Sequence, residues 1–197
     1  MYGLSLVTAP TVEPLEPADC RRQLRLAQDN SYHDPQFVNL ITTARLWVER
    51  YTNRALINQT WDYKFSWWPC GLEPILIPKA PLSSVTSVKY YDTSNAEQTL
   101  ATSVYKVLAS REPGEIRLKN AQSWPSLYGE ADVITIRFVA GYGATAATVP
   151  MPLRQAMLLK ISKDFDPDNP EFRDNEQRAI DLMMSYAIGD EFHVYAN

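Results

Sequence analysis

Gly141-Tyr142-Gly143 stands between a strand-like run ending near Phe138 and a helical run opening at Pro150. At such a junction, backbone N–H groups and a helix N-terminus can cradle a phosphate. A Walker loop also needs a Gly-x4-Gly-Lys-Ser/Thr spacing, whose lysine reaches the phosphates, and a dinucleotide fingerprint needs a third glycine and a downstream acid inside a βαβ unit. No lysine lies between Lys119 and Lys160, and neither spacing occurs here. The glycine pair therefore reads as a permissive strand-to-helix connection. A base for a serine or cysteine nucleophile would have to be His33, beside Asp34 at a helix start, or His193, near the C-terminus, and no GxSxG elbow is present. Asp164, Asp166 and Asp168 alternate as in a calcium loop, but the central glycine is missing and Pro167 and Pro170 stiffen the segment. Cys20 and Cys70 are far apart, with no CxxC or Cys/His spacing, and read as free thiols. No catalytic, cofactor or metal site is expected.

Tryptophan carries more information than any ionisable group. Trp67-Trp68-Pro69 sits at an expected hairpin end, and neighbours on a strand face opposite sides, so both indoles cannot be buried on one face. One of them is a candidate contact for another protein, unless a loop folds back over both rings. Base stacking is a third reading, disfavoured by charge. Nineteen basic and 23 acidic residues give a formal charge of -4, the wrong sign for a domain that gains affinity by neutralising phosphates. No apolar run approaches a membrane span, and the N-terminal MYGLSLVTAPTVEP lacks the basic and apolar regions of a signal peptide. With two free cysteines, this leads to the expectation of a cytoplasm-like compartment.

The elements that must position these residues follow a simple order. Residues 1–14 are proline-rich and aperiodic and read as an extended arm; two helices are expected within 15–56. The first carries Arg21, Arg22 and Arg25 on a solvated face and Leu24 inward. The second opens at Asp34-Pro35, buries Phe37, Ile41, Ala44, Val48 and Tyr51 at helical spacing, and closes near Asn53. Residues 57–143 hold short β-branched and aromatic runs separated by turn signals, which predict an antiparallel meander of about five or six strands. In the last strand Ile134, Ile136 and Phe138 face one way and Val133, Thr135, Arg137 and Val139 the other. Residues 144–188 give two more helices, one burying Leu153, Ala156, Met157, Lys160 and Ile161, the other Phe172, Ile180, Met183, Met184 and Ala187. Residues 189–197 form a tail that keeps Phe192, Val194 and Tyr195. The class is α+β: one domain over 1–197, a small helical bundle with an inserted antiparallel sheet.

Several blocks, in this order, resemble the head-to-tail connector, or adaptor, proteins of tailed bacteriophages and gene-transfer particles. They are ARLWVERYTNRALINQTW (44–61), ILIPKAPLSSVTSVKYYD (75–92), EPGEIRL (112–118) and ITIRFVAGYGATAATVPMPLRQAMLL (134–159). The resemblance implies a non-enzymatic virion protein at the neck, made in the host cytoplasm. It also implies a homo-oligomeric ring, usually a dodecamer, under the portal protein, where it carries the stopper or tail while DNA passes through without specific binding. No cofactor and no membrane are implied. Within such a ring, Phe192, Val194, Tyr195, Trp67 and Trp68 are candidate contacts to the portal or neighbours. Arg21, Arg22 and Arg25 are candidate complements to Glu171, Asp174 and Glu176 across subunits. The alternatives are a tail-completion or stopper protein of the same particle, and a small-molecule-binding or hydrolytic enzyme using the Gly141–Gly143 loop.

Overall fold

The computed structural model describes residues 2–189. The described chain forms four α-helices and eight β-strands, all paired antiparallel, so the class is α+β as the sequence pattern requires. It falls into two compact units, one sheet-based (2–9 and 58–141) and one helical (10–57 and 142–188).

In the helical unit, α1 (Pro17–Gln23) is short; α2 (Asp34–Thr52) and α3 (Met151–Phe165) are the long elements, and α4 (Asn175–Met184) follows a 3-10 turn at Pro170–Phe172. Phe37, Ile41, Ala44 and Val48 recur every three or four residues of α2 and meet Leu153, Ala156, Met157 and Ile161 of α3 in one cluster with Cys20, Ala179 and Met183. Each fully buried large side chain contributes about 1.5–3 kcal/mol of transfer free energy. Burial also pushes the Cys20 thiol up to about 12, so it behaves as a small apolar filler. α2 ends where expected, on Asn53 in the left-handed conformation with φ 55°. Three inward assignments fail. Tyr51, in the last turn of α2, is exposed; Met184 of α4 and Ala187 beyond it are exposed and Ala179 and Leu182 pack inward in their place, because that helix stops at Met184 and its face is set by α3.

The sheet unit departs from a meander. β1 (Gly3–Thr8), β2 (Gln59–Phe65), β4 (Leu82–Tyr91), β5 (Glu97–Thr99) and β8 (Ile134–Ala140) form a five-stranded sheet in the order β1-β2-β8-β4-β5. β3 (Ile75–Leu76), β6 (Tyr105–Leu108) and β7 (Glu115–Leu118) form a second sheet in the order β3-β7-β6. β8, last in sequence, is central because its strict alternation lets Ile134, Ile136, Phe138 and Ala140 be buried while both its edges are paired. The proline-rich arm also divides: residues 3–8 pair with β2 as an edge strand, and the rest leads into α1. Between β6 and β7, Gly114 cannot be replaced without movement, since a Cβ there would lie 2.6 Å from Leu82 Cβ.

Candidate assembly surfaces

The loop between β2 and β3 separates the paired indoles. Trp68 stacks flat on Trp124, ring centroids 4.6 Å apart and planes within 8°, and its Nε1 donates to the Pro125 carbonyl at 3.0 Å. Phe65 and Tyr90 meet the same ring edge-on at 6.3 and 6.1 Å. With its base fixed in this way, the loop turns at Gly71 (φ 58°) and carries Trp67 and Leu72 outward, 65% and 82% exposed. No residue from Ser66 to Leu72 is charged. The partner role of Trp124 was invisible in the sequence, because it lies more than fifty positions away in a segment without periodicity.

The charged candidates are not one set. Arg21 pairs with Asp34 at the start of α2, its side chain largely buried, so it is not on the solvated face expected for it. Arg22 is exposed and pairs within its own helix with Asp19, while Arg25 is exposed beyond the helix end. Glu171, Asp174 and Glu176 are all exposed, Asp174 at the N-cap position of α4 and Glu176 in its first turn, where negative charge favours the helix dipole. Phe192, Val194, Tyr195 and His193 lie outside the described residues. His33 is packed among rings, 4.9 Å from Tyr32 and 5.1 Å from Phe165.

Two N–H groups of the Gly141–Gly143 loop are bonded within the protein. The Gly141 N–H donates to the Pro81 carbonyl at 2.9 Å and the Tyr142 N–H to the Leu56 carbonyl at 3.3 Å. Gly143 is required by close approach: a Cβ would lie 2.7 Å from the Thr148 side chain. In the acidic turn, Asp164 is held by Lys160 at 2.6 Å and Asp166 by Asn169 at 3.1 Å. Among the described residues no group of three or more His, Cys, Asp or Glu side chains is placed to hold a metal, and no helix is long and apolar enough to cross a membrane.

Two polar constellations escaped sequence reasoning. The guanidinium of Arg45, buried within α2, donates to Glu13 at 2.7 and 3.3 Å and to Glu49 at 3.0 Å; Glu49 also accepts the Leu56 N–H at 2.9 Å. Burial opposes the charge on Arg45, and the bonds to Glu13 and the field of Glu49 outweigh it, so its pKa is raised. Arg54 Nε donates to the Tyr186 carbonyl at 2.6 Å, and its guanidinium lies 5.8 and 5.9 Å from the ring centres of Tyr142 and Tyr186. The Ile188 N–H donates to the Thr52 carbonyl at 3.1 Å, which fixes where the chain leaves this unit.

On the outer face of the larger sheet, Arg137 of β8 grips Asp62 of β2 through two bonds of 2.8 Å. That grip, helped by Lys64 and Lys89, holds the Asp62 carboxyl below the usual range. A carboxyl depressed in the folded state adds stability above its unfolded pKa and loses it as pH falls through the folded value. Asp62→Asn is therefore expected to flatten the stability curve below about pH 5, by no more than ~1 kcal/mol because Arg137 is partly solvated. Urea unfolding at pH 7 and pH 3 measures it.

No protein-family model matches the chain, and no curated protein matches it. Solved structures do. A chain in the neck of an empty gene transfer agent (GTA) particle computed with C6 symmetry superposes with a TM-score of 0.76 at 22% identity, covering 95% of this chain and 96% of that one. The virion of a native GTA particle contains a chain with TM-score 0.76, 21% identity and coverage of 94% and 95%. The neck of a native GTA particle computed with C12 symmetry contains one with TM-score 0.69, 19% identity and coverage of 95% and 96%. The chain has their fold. At such low identity the likeness is one of fold, and it extends over nearly the whole chain.

Proposed function

We propose that this protein is a structural, non-enzymatic component of the neck of a tailed particle: a head-to-tail adaptor that forms a ring under the portal and carries the stopper or tail. The observation that carries this reading is the fold shared along nearly the whole chain with GTA neck chains. Three local features support it. The uncharged, rigidly based loop at Trp67 and Leu72 suits contact with an adjoining protein. The net charge of -4 suits a channel through which DNA slides without being held. The N–H groups of Gly141 and Tyr142 are already bonded, which leaves the loop poorly suited to a phosphate.

A closed ring uses head-to-tail contacts, so each copy presents two different surfaces to its neighbours. Arg22 and Arg25, facing Glu171, Asp174 and Glu176 of the next copy, remain candidates for the charged rim; Arg21 is engaged with Asp34 and is withdrawn from the set. The segment beyond Gly189, with Phe192, Val194 and Tyr195, is assigned to the portal, supported by the anchored exit at Ile188. Electron microscopy of the particle, with this chain labelled, tests the proposal. A ring directly under the portal is expected; a ring further down assigns the chain to the stopper or tail-completion role, and absence from the neck rejects the proposal.

A further inference from the structure

We infer that the outward face of α2 is the surface through which one copy of this chain packs on the next copy in the ring. This rests on the ring reading above and names the contact within it. Between Asp34 and the buried Arg45 no ionisable residue occurs, although α2 is exposed along this length at Gln36, Val38, Asn39 and Thr43, and again at Leu46 just beyond it. Surface helices ordinarily carry charge on the solvent side. The other outward helix faces here do so, α1 with Arg22 and α4 with Glu176, Arg178 and Asp181. Val38 and Leu46 are instead 52% and 54% exposed on α2.

Two hydroxyls of this face are already bonded within the protein. The Thr43 hydroxyl donates to the Asn39 carbonyl at 2.9 Å, and the Thr42 hydroxyl donates to Glu13 at 3.0 Å. Covering the face therefore strands neither hydroxyl hydrogen. Glu13, which accepts from Thr42, is paired with Arg45, Asp34 at the head of the helix is paired with Arg21, and the exposed Arg50 lies beyond the patch at its C-terminal end. An uncharged centre with charge at its rim is the usual anatomy of a protein interface. A second copy is the occupant because chains of this fold stand in necks computed with C6 and C12 symmetry, where copies recur around one axis.

The test is Leu46→Glu, which in a head-to-tail ring places one carboxylate in every joint. The full chain is followed by mass photometry in solution and by electron microscopy on portal-bearing heads, with its melting temperature as a folding check. Loss of the ring, or an assembly concentration at least tenfold higher, with melting unchanged, is the expected result. If Leu46→Glu melts early, Asn39→Arg on the same exposed face replaces it. Wild-type rings together with intact variant rings overturn the α2 contact and leave the adaptor reading standing. Wild-type protein that forms no ring, alone or on the portal, overturns both.

Discussion

Arg45→Ala is expected to remove ~3 kcal/mol of stability, because it leaves the buried Glu49 and the partly exposed Glu13 carboxylates without the cation set between them. The arginine is 7% exposed and binds Glu13 from the segment before α1 as well as Glu49 one helical turn away. Burying Arg45 and Glu49 is costly, and the observed geometry offsets that cost only while both are present and Glu13 caps the pair. Glu49 carries a second duty, since its other oxygen accepts the Leu56 N–H and shapes the chain after the helix. Removing the arginine therefore disturbs both the segment before α1 that carries Glu13 and the chain that leaves α2 at Leu56. Arg45→Lys keeps the charge but not the forked geometry and is expected to fall between wild type and Arg45→Ala. Urea unfolding at pH 7 measures both variants; a loss below about 1 kcal/mol for Arg45→Ala would show that the network is structurally idle. Against a typical domain stability of about 5–15 kcal/mol, the expected loss is severe.

The neighbouring tryptophans should behave in opposite ways. Trp68→Ala removes the ring that stacks on Trp124, touches Phe65 and Tyr90, and donates to Pro125, so it should cost about 2–4 kcal/mol in unfolding. Trp67→Ala removes a side chain that is 65% exposed, and its effect on stability should stay within about 0.5 kcal/mol. Attachment to the particle should reverse the order. An exposed indole on a fixed base loses little conformational freedom on docking, and anchors of this kind cost about 2 kcal/mol or more when truncated. Trp67→Ala should therefore weaken attachment more than tenfold while the protein remains folded, read by co-sedimentation with portal-bearing heads. Equal attachment of wild type and Trp67→Ala would remove the loop from the interface.

What could be read beforehand tracks how local the cause is. The closure of α2 at Asn53 is written in one residue that tolerates the left-handed conformation, and the inward face of β8 is written in a two-residue period. Both were legible. Strand order was not: β1 pairs with a strand more than fifty residues away, and nothing in GLSLVT names its partner. β5, only Glu97–Thr99, has three exposed residues and no apolar signal. Arg21 looked like part of a basic face, and only the approach of α2 gave it Asp34.

By itself, then, the sequence determined the elements with a short period, the α+β class, and the absence of any recognised phosphate, nucleophile or metal spacing, because each depends on residues within a few positions of one another. The tertiary structure alone decided which tryptophan is support and which is surface, which arginine is structural, and which helix face stays free of charge yet open to solvent. Those outcomes depend on pairs such as Trp68 with Trp124 and Arg45 with Glu13, whose members meet only when distant segments pack. Burial, unlike periodicity, is a property of the assembled chain.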